Sequence, residues 1–285
     1  MKRHGMGSRA EMQCDVLIPT VDRPGALAVT LAGLAAQNRP LRIVIADQSR
    51  TPAADHPEIV AMERILANQG CEVEIHRRPA RRGIAEQRHF LLQQALAEAI
   101  LYLDDDIWLQ PWAVERMLTA LDELRAGLVG MAPVGLSYLN DQRPDQWTAF
   151  QQWEDHVEPE VVRRGADAWQ RHALHNAANP AHLSSHSGAS RQHPVAYRIA
   201  WIGGCVMYRR RALADVGGFE FWADLPTTHA GEDVVAQLRV LETFGGAGLL
   251  PSGAVHLELP TTVADRRHEA YDVLDVGAAD SRQRA

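Results

Sequence analysis

The sequence predicts an α/β domain built on an open, mixed but mainly parallel sheet with helices on both faces. Three observations lead there. Short apolar, β-branched runs alternate with helical patterns through the first half of the chain, the arrangement in which crossover helices return each strand to one sheet. Two runs that read as buried strands end directly on carboxylates, Asp47 and Asp104, and open α/β sheets bind ligands at such strand ends. A polar stretch from 134 to 197, rich in His, Gln, Asn, Ser and Trp, then breaks the alternation and reads as an irregular, partly helical insertion.

Asp15 to Pro19 (DVLIP) is the opening strand. A helix follows with Pro24 in its first turn and Leu27, Leu31 and Leu34 on one face. Leu41 to Ala46 (LRIVIA) is a buried strand. Pro57 to Gln69 reads as a helix, and Cys71 to His76 (CEVEIH) alternates as a strand near the sheet edge does. A helix is expected from Ile84 to Ala99, a buried strand over Ile100 to Leu103, a helix over Pro111 to Arg125 and a strand over Leu128 to Ala132. Within the insertion a helix is expected from Pro159 to His172. Order resumes with a strand in Ala200 to Arg209, a short helix from Arg210 to Val216, a helix from Glu232 to Phe244 and short strands around Leu249 and His256. The segment after Asp275 reads as a disordered tail.

Composition narrows the function classes. The chain has 285 residues, 46% of them hydrophobic, and a formal net charge of −7, a balance against broad binding of nucleic acid or anionic membrane. The 3 cysteines form no CxxC pair, which excludes a zinc ribbon or dithiol centre. Lys2 is the sole lysine, so the P-loop, pyridoxal-phosphate and protein-kinase chemistries lack their essential amine. Neither an export signal nor a membrane-spanning run is visible, and a cytoplasmic setting is expected.

Four constellations carry chemistry. Asp104, Asp105 and Asp106 follow a buried strand, and carboxylates so close repel unless a cation neutralises them. Oxygen ligands that keep water suit Mn²⁺ or Mg²⁺; the alternative is a solvated turn capping the next helix. Glu232 and Asp233 open a helix, where acidic residues also simply complement the dipole. His256 lies in an apolar strand and is either a core residue or a ligand. Arg77, Arg78, Arg81, Arg82 and Arg88 crowd the exit of the third strand, as a diphosphate site or as a solvated basic turn.

In order along the chain, these pieces resemble family-2 glycosyltransferases of the GT-A fold. VLIPTVDRPGALAVTLAGLAAQ resembles the family's opening strand, loop and helix, and IVIADQS its second strand ending in aspartate. RRGIAEQRHFLL resembles the segment carrying its arginine, with His89 where asparagine is usual. YLDDDI resembles the DxD motif, WIGGCVMYRRRALADVGGFE the acceptor-side segment, and GEDVVAQLRV the glutamate-aspartate helix start. The stretch from 134 to 197 is unmatched.

The resemblance implies a donor that is a nucleotide diphosphate sugar, UDP- or GDP-linked, and an acceptor that is a glycan, a lipid-linked sugar or a small molecule. It implies donor contacts from Pro19, Thr20, Arg23, Asp47, Arg82, Arg88, Asp104, Asp105, Gly203 and Gly204. Asp106 would hold the Mn²⁺ or Mg²⁺, completed by His256. Asp233 would be the general base, supported by Glu232. Inversion and single addition are implied, the latter because the QxxRW motif of processive relatives does not occur. The implied division is a flexible start (1–13), a donor half (14–133), a lid (134–197), an acceptor and catalytic half (198–260) and a tail (261–285). A non-catalytic nucleotide-sugar-binding protein and a sugar-phosphate nucleotidyltransferase are the alternatives. The latter lacks its glycine-rich loop and lysine here.

Overall fold

The computed structural model describes residues 13–263, 266–274 and 276. The expected flexible start (save Gln13) and the expected disordered tail (save Val276) lie outside the described residues.

The first half of the chain alternates as its pattern requires. Its elements are β1 (Cys14–Thr20), α1 (Pro24–Ala35), β2 (Arg42–Asp47), α2 (Pro57–Asn68), β3 (Glu72–Arg77), α3 (Ile84–Gln94), β4 (Ala99–Leu103), β5 (Ile107–Leu109), α4 (Ala113–Glu123) and β6 (Leu128–Gly130). Next come β7 (Val134–Gly135), α5 (Asn179–Ser187), β8 (Val195–Tyr197), β9 (Cys205–Arg209), α6 (Arg210–Asp215), α7 (Glu232–Phe244), β10 (Gly246–Leu250), β11 (Ala254–His256) and α8 (Ala270–Val273).

One 8-stranded sheet has the order β3-β2-β1-β4-β9-β6-β10-β8. The first four strands in that order are mutually parallel; β9 runs antiparallel between β4 and β6, and β8 closes the far edge antiparallel to β10. A second sheet, β5-β11-β7, has 3 strands and sits beyond the end of β4. As its alternation suggested, β3 is the edge strand.

The period of two along each strand distributes the core between two layers. Val16 and Ile18 point to the same side as Leu27, Leu31, Leu34, Ile59 and Leu121, the apolar faces of α1, α2 and α4. Leu17 points to the other side, with Leu91, Leu213, Val235 and Leu238 from α3, α6 and α7. Because both faces are covered, β1 and β4 are buried along their whole length and read as continuous apolar runs.

Three element expectations are corrected. The helix from Ile84 stops at Gln94 rather than Ala99, because the buried Asp15 carboxylate accepts from Leu96 N at 2.6 Å and Ala97 N at 3.0 Å and turns the chain into β4. No helix spans Pro159 to His172. Glu160 N instead donates to Leu241 O at 2.9 Å, and the longer helical pieces of the insertion are a 3₁₀ run over Asp167–His175 and α5. The strand in Ala200 to Arg209 begins only at Cys205, after a turn in which Gly204 has φ +75°.

Candidate active site

Five segments meet at the carboxyl ends of β1 and β4. They are the β1–α1 loop, the head of α3, the triplet Asp104 to Asp106, the Gly203–Gly204 turn and the head of α7. Together they surround a cavity of about 480 Å³.

The triplet is built by strand adjacency. β1 and β4 are parallel neighbours, so Thr20 at the end of β1 stands beside the residues that leave β4. Thr20 Oγ1 donates to Asp105 Oδ2 at 2.7 Å, and Arg23 Nη1 donates to Asp105 Oδ1 at 3.1 Å and to Asp106 Oδ2 at 2.6 Å. Burial pushes the Asp105 carboxyl up to about 6 against those two partners. Burial and then the Asp104 charge raise Asp106, while His256 and Arg23 oppose the rise. His256 reaches the same place from β11, which pairs with β5 immediately after the triplet; its Nε2 lies 3.9 Å from Asp106 Oδ2.

On the opposite wall, Gly231 takes the left-handed conformation (φ +74°) and starts α7. A Cβ there would come within 2.8 Å of Glu269 Oε2. Glu232 and Asp233 follow in the first turn. Glu232 is buried, and its Oε1 accepts from Arg88 Nε at 2.8 Å; Arg88 Nη2 also donates to Asp104 Oδ1 at 3.0 Å. Asp233 is pushed up to about 7, first by burial and then by the Glu232 charge, with Arg88 pulling the other way. A half-buried carboxylate near neutrality is suited to accept a proton.

Of the residues singled out from sequence, Pro19, Thr20, Arg23, Arg88, Asp104, Asp105, Asp106, Gly203, Gly204, Glu232, Asp233 and His256 all line this cavity. No atom lies within 4 Å of where a Gly203 Cβ would stand, so the turn offers open space to a ligand. Asp47 and Arg82 are not among the lining residues. The Asp47 carboxylate is fully buried and accepts from Ser49 N and Ala53 N, both at 2.8 Å. Arg82 is exposed on the segment before α3.

Sequence reasoning missed the wall formed by Thr261, Thr262, Val263, Arg266, Glu269 and Tyr271. These residues lie in the stretch expected to be a tail. They are docked by backbone pairing, with Ala230 N donating to His268 O at 3.0 Å and Ala270 N to Ala230 O at 2.7 Å. It also missed His229. With Nδ1–H donated to Pro226 O at 2.6 Å, His229 Nε2 accepts from Ala85 N at 3.2 Å and satisfies a free amide at the start of α3. Neither contact has a local sequence signal.

The insertion's tryptophans divide. Trp147 and Trp153 donate inward, to Asn179 Oδ1 at 2.9 Å and Gly246 O at 3.2 Å. Trp169 packs on Trp201 with ring centroids 4.9 Å apart, and Trp201 lines the cavity.

Fold and site together define an α/β domain of the GT-A glycosyltransferase type. The model of glycosyl transferase family 2 matches residues 15–217, well over half of the 285, and the chain belongs to that family. Galactofuranosyltransferase GlfT2 of Mycobacterium tuberculosis is 29% identical over 161 residues, covering 53% of this chain and 23% of that protein. Its Mycolicibacterium smegmatis counterpart is also 29% identical over 161 residues, covering 22% of that protein. The chain therefore matches less than a quarter of the length of these relatives. Among solved structures, S. aureus TarS 1–349 in complex with UDP-GlcNAc superposes with a TM-score of 0.58 at 15% identity, over 88% of this chain and 60% of that one. TarS 1–349 with UDP superposes at 0.53 and 15% identity, over 92% of this chain and 63% of that one. Among the described residues, no helix is long and apolar enough to cross a membrane.

Proposed function

We propose that this chain transfers a glycosyl group from a nucleotide diphosphate sugar to an acceptor hydroxyl, one addition at a time, with inversion at the anomeric carbon. The observation that carries the proposal is the placement of Asp233. Its half-buried carboxylate, pushed up to about 7, faces the same cavity as the acidic triplet. The names of the mycobacterial relatives and the UDP-GlcNAc held by TarS support a nucleotide-sugar donor.

In this reading the donor lies across the ends of β1 and β4. Thr20 and Asp104 meet the ribose side, and Arg88 lies near the diphosphate. Gly203 and Gly204 let the sugar approach the backbone. The acceptor hydroxyl enters beside Trp201 and gives its proton to Asp233 as its oxygen bonds the anomeric carbon. The bond from that carbon to the β-phosphate oxygen breaks on the opposite side, and the nucleoside diphosphate leaves with the electron pair. A single base facing the leaving group is enough for inversion. Glu232 holds Arg88 and is a positioning residue.

The donor set also fits a divalent cation. Asp106 Oδ2 offers a hard oxygen, and His256 Nε2 lies 3.9 Å from it; because Nδ1 accepts from Glu258 N at 2.7 Å, the imidazole would have to turn or give up its Nε2 proton to join a cation there. Among the described residues no group of three or more His, Cys, Asp or Glu side chains would cage an ion, so the chain supplies a partial site. Bound there, Mn²⁺ or Mg²⁺ would supply positive charge to the departing diphosphate.

Calorimetric titration of UDP and GDP, with Mn²⁺ and then with EDTA, tests the donor reading, with Asp106→Asn alongside. Metal-dependent binding of one nucleotide, lost in the variant, is the expected result. A folded protein that binds neither nucleotide overturns it. Nucleotide-sugar hydrolysis without acceptor separates a transferase from a binding module, which would saturate without turnover.

A further inference from the structure

The place next to Asp106 already holds a cation of the protein's own. Arg23, just before α1, sends its guanidinium across to the end of β4. There Nη1 donates to Asp106 Oδ2 at 2.6 Å and to Asp105 Oδ1 at 3.1 Å. The Arg23 side chain is 15% exposed and each carboxylate 9%, so water screens these pairs little. Asp106 Oδ2 is also the oxygen that faces His256. A guanidinium so close to that oxygen competes directly with an ion shared by Asp106 and His256. Two positive groups at such a separation repel strongly where water is excluded.

The same guanidinium has a second hold. Nη2 donates to Pro260 O at 2.9 Å, and Leu257 N donates to Asp106 O at 2.9 Å. Arg23 thus fixes the start of the segment whose Thr261, Thr262 and Val263 form one cavity wall. Exchange for another anion can release these contacts, because phosphate oxygens match the guanidinium as carboxylates do.

We propose that Arg23 is the resident counter-cation of the acidic triplet and sets the order in which the site assembles. It neutralises Asp105 and Asp106 in the free protein. An arriving diphosphate draws the guanidinium onto its oxygens, which frees Asp106 Oδ2 for the divalent cation and releases Pro260. The proposal rests on the metal-dependent reading above and goes beyond it in assigning the metal position to a side chain before the donor binds.

The test is Mn²⁺ binding to the full chain without nucleotide, followed by the paramagnetic resonance signal of free Mn²⁺. Wild type is compared with Arg23→Gln and Arg266→Gln. Arg266 is a cation of the same cavity whose field falls on Glu269, and it controls for a general loss of charge. Arg23→Gln is expected to raise nucleotide-free Mn²⁺ affinity by about tenfold or more, and Arg266→Gln to stay within about threefold. Adding UDP or GDP should close most of the gap between wild type and Arg23→Gln. Thermal melts confirm that each variant is folded. The proposal is overturned if Arg23→Gln binds Mn²⁺ no more tightly than wild type while both bind it with nucleotide. It also fails if Arg266→Gln gives the same gain. If no protein binds Mn²⁺ under any condition, the metal-dependent reading itself fails and takes this one with it.

Discussion

Arg88 Nε donates to Glu232 Oε1 at 2.8 Å across a sequence separation of 144 residues. The bond joins α3 to the first turn of α7. Arg88 Nη2 continues the link to Asp104, and Tyr102 donates its hydroxyl to the Arg88 carbonyl at 2.6 Å. Burial works against the guanidinium's charge, but Asp104, Glu232 and Asp233 outweigh it and hold Arg88 protonated. Arg88→Ala would leave two carboxylates uncompensated, one of them buried. Loss of one partner of such a pair costs about 3–5 kcal/mol, to be read from the thermal or urea unfolding midpoint. A loss below about 1 kcal/mol would mean that water reaches the pair and screens it.

Asp233 should set an acid limb on the rate. Its carboxyl is pushed up to about 7, so kcat/KM is expected to rise with pH up to about 7 and level off above. Asp233→Asn should abolish that limb and lower kcat about 10²- to 10⁴-fold with donor binding unchanged by calorimetry. A variant that keeps the limb would move the base elsewhere. Stability carries the opposite sign. The folded state holds this proton more tightly than the unfolded chain does, so the contribution is full below the ordinary carboxylate range and is lost as pH rises through about 7.

Glu232→Gln separates the two neighbours' roles. It removes a charge that raises Asp233 and leaves Arg88, which lowers it. The acid limb should therefore shift to lower pH, with kcat on the plateau reduced far less than in Asp233→Asn. A limb that stays in place would show that Glu232 does not act on the base.

Substituting Asp106 and His256 tests the proposed cation site without reference to turnover. Asp106→Asn and His256→Ala should each weaken Mn²⁺-dependent nucleotide binding, by about 10- to 100-fold if each ligates directly. Unchanged binding in His256→Ala would take that residue out of the site.

Gly231→Ala tests the start of α7. The φ of +74° strains any residue with a Cβ, and the Glu269 carboxylate, 2.8 Å from where that Cβ would stand, would also have to move. A loss of about 1–3 kcal/mol is expected, with a larger fall in kcat than in donor affinity, because the backbone that aims Asp233 must shift. Equal effects on both would place the strain outside the acceptor side.

Legibility followed the range of the interactions. The apolar runs of β1, β2 and β4 and the apolar faces of α1, α2 and α4 are local patterns, and each element stands where they indicated. Asp104 to Asp106 were readable because four apolar residues run straight into them, and Glu232 and Asp233 because a helix begins there. α5 has no clear apolar period, being rich in Ser and His, and left no signal. Asp47 shows the limit from the other side. Its position at a strand end was legible, but the acceptance of Ser49 N and Ala53 N by its carboxylate was not.

By itself the sequence determined the alternating α/β architecture, the family and the identity of the acidic groups, because periodicity and short motifs are properties of neighbouring residues. The tertiary structure decided which charges meet. Arg88 pairs with Glu232, Arg23 covers Asp106, His229 caps α3, and Thr261, Thr262, Val263, Arg266, Glu269 and Tyr271 form a wall of the cavity. Each of these joins positions far apart in the chain. Their energies depend on distance and on exclusion of water, which only the packed sheet and its flanking helices create.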